Sequence, residues 1–380
     1  MTTAGKGNQI FRAIACGVNI AAATGMLLAA YGGKIDPETT SVPAILAMTF
    51  PAWLILTVTL LIIDLFTRAI KRQVWIPALA LVAATGPILD YAPLNFRFSS
   101  TDNKSADSKE FTLMSYNVFE LLDMTLDSAA RADRHKSDKP NPTIACILES
   151  GADILALQEC PKIRANRYLN ITEGQADSMN TMYPYRHLFM GENVYSRYPL
   201  TPIDIKQPDS PYAWFSAAVA DIEGNPTLII SVHLQSIGLN DDDKELFRDL
   251  TEGEVEGRRK MSRVKHQLLG KLSHAFKERA KQARLLRSQI DSIGIENVIV
   301  AGDFNDIPGC FALRELCRDD FRNAFTDAGC GPTITYHANR FYFHIDHVVY
   351  RGNMKATGYR RGNCPNSDHY PVTVTFRWDG

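Results

Sequence analysis

The chain has 380 residues, with 41 Lys and Arg against 42 Asp and Glu and 45% hydrophobic residues. This composition excludes a disordered chain, a collagen-like repeat and a small disulfide scaffold, and the net charge of −1 excludes a whole-protein basic footprint for nucleic acid. The average conceals a split, because only ten charged residues fall within the first 92 positions.

Three apolar runs occupy that first part. Ala13–Tyr31 and Val42–Ile63 carry no charge, and at about 1.5 Å per residue each matches a hydrocarbon core of about 30 Å. Val74–Leu89 is shorter, contains Pro77 and Pro87, and needs its flanks or a thinned bilayer to span. A cleaved signal peptide competes for the first run, since Lys6 and Arg12 precede it, but two further runs directly behind it favour an anchor. A surface-lying or buried helix competes for the third. Residues 1–91 are therefore expected to form an anchor of about three transmembrane helices, touching lipid through residues 10–90. Lys6 and Arg12 flank the first run, and Arg68, Lys71 and Arg72 lie between the second and third. The 32–41 connection has only Lys34 beside Asp36 and Glu38. Positive flanks stay in the cytoplasm, so three spans put everything after Tyr91 outside it. The expectation is an integral protein of a bacterial inner membrane with an extracytoplasmic domain. Without the third span the domain would be cytoplasmic.

Residues 92–110, with Pro93, Ser99, Ser100, Asn103, Ser105 and Ser108, read as a polar linker. Beyond it, strand-like apolar runs recur at Phe111–Val118, Ile154–Leu157, Ala217–Ile222, Leu228–Leu234, Asn297–Ala301, His344–Tyr350 and Val372–Phe376. Helical patterns fall at Asn141–Ser150 and Arg258–Ile290. The fold class is thus α/β and layered, in a domain spanning 111–380. Eight acids between Asp241 and Glu256 precede eleven Lys or Arg between Arg258 and Arg287. A solvated helix after an acidic loop is the plain reading, and a cationic face for phosphodiester polymers or anionic headgroups the sharper one.

The informative residues sit where apolar strands stop. Asn117 closes Ser-Tyr-Asn, Glu159 closes Leu-Gln-Glu and His233 closes Ser-Val-His. Asp303 and Asn305 follow in Gly-Asp-Phe-Asn-Asp, Asp346 in Ile-Asp-His and Asp368-His369 in Ser-Asp-His-Tyr-Pro. Each alone is more often a cap or turn partner. Layered α/β enzymes, however, gather their sites at strand ends. Carboxylate and amide oxygens suit Mg²⁺, or Mn²⁺ or Ca²⁺, rather than zinc. Histidines beside carboxylates suit proton transfer. Together they fit attack of an oriented water on phosphate.

With Gly-Glu-Asn-Val-Tyr-Ser-Arg-Tyr-Pro between the second and third of them, these ordered motifs resemble the endonuclease/exonuclease/phosphatase superfamily from about Phe111 to Trp378. The resemblance implies a four-layer α/β sandwich, two packed β-sheets flanked by helices. It implies Asn117, Glu159 and Asp368 as metal ligands, Asp303 as the residue that orients or deprotonates the attacking water, and Asn305 on a phosphate oxygen. It further implies His369, oriented by Asp346, on the transition state, and His233 toward the leaving group. Tyr185, His187 and Glu192 are candidates for the family's phosphate-contacting tyrosine and for the acidic partner of His233. The implied activity is a membrane-anchored, metal-dependent phosphodiesterase acting on nucleic acid or a phospholipid headgroup. A phosphomonoesterase on phosphoinositides or sugar phosphates is the alternative, and a non-catalytic membrane binding module a third. Six cysteines in the domain allow disulfides in an oxidising space or buried thiols.

Overall fold

β1 (Glu110–Asn117) and β2 (Ile154–Gln158) run parallel, and so do β7 (Asn225–His233) and β8 (Asn297–Asp303). Each parallel pair lies near the middle of its own mixed sheet. The first sheet has the order β11-β12-β1-β2-β4-β3, completed by β3 (Tyr185–Phe189), β4 (Glu192–Ser196), β11 (Met354–Arg361) and β12 (Val372–Trp378). The second has the order β5-β6-β7-β8-β10-β9, completed by β5 (Leu200–Ile203), β6 (Trp214–Ile222), β9 (Arg322–Asn323) and β10 (Asp346–Arg351). The computed structural model describes residues 3–67, 70–96, 110–126, 130, 139–238, 258–338 and 341–379. The acidic segment 241–256, most of the expected linker and the side chains of 258–266 lie outside this description.

Both faces of both sheets are covered, so the central strands alternate between two apolar surroundings rather than between oil and water. In β7, Ile229 faces the inter-sheet core with Leu113, Ala156 and Ile299. Leu228, Ile230 and Val232 face outward onto Leu286 and Ile290 of α8 (Arg258–Ile293). On the other side, Met114, Tyr116 and Leu155 pack under α6 (Pro142–Ser150) and α7 (Glu173–Met182). The result is the expected sandwich of helix, sheet, sheet and helix. The Cys146–Cys364 disulfide ties α6 to the segment that carries Asp368 and His369. Cys160, Cys310, Cys317 and Cys330 are free thiols.

The N-terminal part departs from three full spans. α1 (Thr3–Tyr31) continues into a short 3-10 turn, and the stretch Gly7–Lys34 is the one described helix long and apolar enough to cross a membrane. The second run splits into α2 (Val42–Ala47) and α3 (Phe50–Phe66), because Pro43 and Pro51 each begin a new helix rather than continue an old one. The third run becomes α4 (Trp75–Ala83) and α5 (Thr85–Tyr91), bent by 61°. Pro87 causes the bend: it has no N–H to give, and its ring crowds the carbonyl four residues back. That carbonyl, on Ala83, instead accepts the Tyr31 hydroxyl.

The helical unit is docked on the sandwich. Ala47, Met48 and Tyr91 join the core under α8, Ser41 Oγ donates to Ser273 Oγ at 2.6 Å, and Arg284 pairs with both Asp36 and Glu38. Asn95, from the expected linker, donates to the carbonyls of Thr326 and Gly329. At Gly33 a Cβ would lie 2.0 Å from the Gly309 carbonyl oxygen, far inside contact distance. Gly33→Val is therefore expected to cost about 1–3 kcal/mol, read as an earlier unfolding transition of the full chain with unchanged far-UV dichroism.

Candidate active site

The two parallel pairs end on the same edge of the sandwich, one from each sheet. Register places Asn117 beside Gln158 and His233 beside Asp303, while Asp346 opens β10 directly opposite Asp303. Glu159 follows β2 in a left-handed conformation at φ +50°, held by the Glu120 N–H to its carbonyl at 3.0 Å. Asn305 is left-handed too, at φ +51°. Such backbone costs about 1–3 kcal/mol each and clusters at functional sites. Ser367 latches the last loop to β1, donating from Oγ to the Asn117 carbonyl at 2.7 Å and accepting from the His369 N–H at 3.2 Å.

Around Asp303 the side chains close into a network. His369 sits between two carboxylates, with Nδ1 2.8 Å from Asp346 Oδ2 and Nε2 3.4 Å from Asp303 Oδ2. Asn117 Nδ2 donates to both Glu159 Oε1 at 3.0 Å and Asp303 Oδ2 at 3.1 Å. Asn305 donates its N–H to Asp303 Oδ1 at 2.8 Å and its side-chain amide to the Leu234 carbonyl. His233 Nε2 lies 3.6 Å from Asp303 and 4.0 Å from Glu159, and its Nδ1 lies 3.6 Å from Glu192 Oε1. The sequence offered Glu192 only as one candidate for that acid; of the three, it alone faces His233. Tyr185 and His187 lie on edge strand β3, and neither lines the cleft. Tyr336 is the residue that sequence reasoning missed: it lines the cleft and stands edge-on to His369, with ring centroids 5.0 Å apart.

Burial and charge set the protonation of these groups. Burial raises Glu192 to about 7, against the pull of the His233 hydrogen bond. For His233, burial works against the charge, but the Glu192 hydrogen bond and the charges of Asp303, Glu192 and Glu159 carry it up to about 9. Burial likewise opposes charge on His369, and the Asp346 and Asp303 carboxylates carry it up to about 10. Burial pushes Asp368 up to about 6; the His369 charge opposes the rise, and Glu159 and Asp303 add to it.

The donor set fits a hard divalent cation. The negative charges of Glu159 and Asp303 both reach Asp368, a crowding of acids that a cation relieves. Among the described residues, one group of three acids and histidines, Asp303, Asp346 and His369, has ligand atoms that all lie within 4.8 Å of one another. Its histidine already faces carboxylates through both ring nitrogens. Asn117 accepts the Phe119 N–H on Oδ1 at 3.1 Å and turns Nδ2 to Glu159.

A layered α/β fold with this acid–histidine cluster at its strand ends fits a phosphoesterase of the hydrolase class, and the family match supports that class. The Endonuclease/Exonuclease/phosphatase family model matches residues 114–369, and the chain belongs to that family. A domain of unknown function matches residues 10–91. No curated protein matches the chain. Among solved structures, truncated Caenorhabditis elegans TDP2 is 17% identical over 70% of this chain and 98% of its own, with a TM-score of 0.44. An endonuclease/exonuclease/phosphatase family protein from Bacteroides thetaiotaomicron is 15% identical over 72% and 99%, with a TM-score of 0.45. One from Beutenbergia cavernae is 15% identical over 72% of each chain, at 0.47.

Proposed function

We propose that the chain is a membrane-anchored, metal-dependent phosphodiesterase, with residues 1–91 as anchor, 92–110 as connection and 111–380 as catalytic domain. The observation that carries the reading is the single network in which Asp303 faces His369, His233, Asn117 and Asn305. Asn117, Glu159 and Asp368 would hold a divalent ion, for which Mg²⁺ is the first choice and Mn²⁺ or Ca²⁺ the substitutes. When bound, it supplies positive charge to the phosphate oxygens. Asp303 orients water and takes its proton as the water oxygen bonds to phosphorus. His369, locked by Asp346, and the Asn305 amide stabilise the charge gathering on the phosphoryl oxygens. His233, backed by Glu192, gives its proton to the departing oxygen as the P–O bond breaks.

A diester and a monoester both present His233 with an alkoxide leaving group that needs a proton, so the choice of substrate separates the diesterase reading from the phosphomonoesterase alternative. Full-length protein with Mg²⁺ or Mn²⁺ should cleave bis(4-nitrophenyl) phosphate faster than 4-nitrophenyl phosphate; release of inorganic phosphate from monoesters alone would favour the alternative. Glu192→Gln should lower kcat by about 10–100-fold with KM little changed, because it orients His233 without touching substrate. An unchanged kcat would remove Glu192 from the network.

Three observations support membrane anchoring and an extracytoplasmic site. Apolar side chains on α1, α3 and α4, including Ile14, Ile55, Phe66, Leu79 and Val82, face outward. The far ends of the helices lie together, where Gln73 Nε2 donates to the Arg12 carbonyl at 2.7 Å. The near ends meet the catalytic unit through Gly33 and the 3.3 Å Asp90–Arg314 pair. The basic flanks therefore share the face opposite the catalytic unit, as the positive-inside rule requires. The Cys146–Cys364 bridge suits an oxidising space such as the outer side of a bacterial inner membrane.

A further inference from the structure

The cleft that contains the acid–histidine cluster extends well beyond it. It is one cavity of about 660 Å³. At one end lie Glu159, Asp303, Asn305, Asp368 and the two histidines. Much of the remaining wall is apolar, including Leu272 and Phe276 of α8, Phe341, Phe343 and Ile345 ahead of β10, and Met48 from the turn after α2. A cavity of this size with polar groups at one end fits a ligand with an apolar body and a polar head.

Charge argues against a polyanion as that ligand. Arg279 is the one Lys or Arg among the described lining residues, and it is buried and engaged, with Nε 3.1 Å from Asp306 and Nη1 3.0 Å from the Gln235 carbonyl. A nucleic-acid groove needs free cations along the backbone path. Within the basic run, Arg284 pairs with Asp36 and Glu38, and Arg287 with Asp291 and Asp320. Position argues for a lipid. Met48 belongs to the helical unit whose outward faces are apolar, so the cavity wall is continuous with the part of the chain that the proposed function puts in the bilayer.

We propose that the apolar arm of the cleft receives the hydrocarbon chain of a membrane phospholipid, with its phosphodiester at Asn305, His233 and His369. This rests on the hydrolase reading above and names its substrate class. In non-ionic detergent, the full-length protein should hydrolyse alkyl 4-nitrophenyl phosphodiesters with kcat/KM rising at least about ten-fold from a two-carbon to a ten-carbon chain. Leu272→Gln should flatten that rise, and a single-stranded oligodeoxynucleotide should be a poorer substrate than the ten-carbon ester. A rate flat in chain length, with Asp303→Asn still abolishing the two-carbon rate, overturns the lipid cleft and keeps the hydrolase. So does preferred cleavage of the oligodeoxynucleotide. Absence of any hydrolysis overturns the hydrolase instead, and the cleft is then read by labelling. In phosphatidylcholine vesicles containing phosphatidylglycerol with a diazirine on its acyl chain, irradiation should label peptides holding Leu272, Phe276 or Phe343. Labels confined to α1, α3 and α4 overturn the proposal.

Discussion

Asp303→Asn is expected to lower kcat for phosphodiester hydrolysis about a thousand-fold while leaving KM and the unfolding transition close to those of the parent. The substitution is nearly isosteric, and the new side-chain oxygen still accepts the Asn305 N–H that Asp303 Oδ1 accepts at 2.8 Å. What disappears is the negative charge that faces His369 at 3.4 Å, His233 at 3.6 Å and Asn117 at 3.1 Å, together with the capacity to take a proton from water. Removing a positioned acid–base group costs about 10²–10⁴-fold, and here the same group also organises its neighbours. For that reason the His369→Gln and Asp303→Asn losses should be far from additive. A folded Asp303→Asn protein with parental kcat would remove Asp303 from the chemistry.

Glu159→Gln is expected to raise the Mg²⁺ or Mn²⁺ concentration for half-maximal activity at least about a hundred-fold and to abolish most turnover at low metal. The carboxylate follows β2 on strained backbone at φ +50°, supported by Asn117 and by the Glu120 N–H. A chain holds a charged side chain in such a conformation when its direction matters more than its comfort. Mn²⁺ titration followed by electron paramagnetic resonance separates this from a structural effect. Bound Mn²⁺ should fall in Glu159→Gln and persist in Asp303→Asn, while unaltered Mn²⁺ binding in Glu159→Gln would move the metal elsewhere, with Asp303, Asp346 and His369 as the next candidates.

The strand-end residues were legible because β1, β2, β7 and β8 are buried on both faces and read as continuous apolar runs that stop at one polar residue. Seven strand positions follow from that pattern, as do the helices at Pro142–Ser150 and Arg258–Ile293. β3 and β5 were silent because they lie at sheet edges and are half exposed. β4 hid Glu192, since a buried acid opening a strand after Met-Gly looks like a surface turn until His233 is placed against it. The polar helix α7 carries a local signal that went unread: Thr172 and Gln175 form a capping box. Partners far apart in sequence gave no signal, and so the basic run could not be read as structural before Arg284 met Asp36 and Glu38, and Arg279 met Asp306. The third run is bent rather than straight for a reason visible in the sequence, because Pro87 forces the bend that divides α4 from α5.

The most direct test is hydrolysis of bis(4-nitrophenyl) phosphate by the full-length protein in ¹⁸O-enriched water with Mg²⁺, in parallel with Asp303→Asn. The account predicts turnover by the parent with one solvent oxygen in the 4-nitrophenyl phosphate released, and a rate about a thousand-fold lower in the variant. No turnover by the parent, or equal rates in the two proteins, would contradict it.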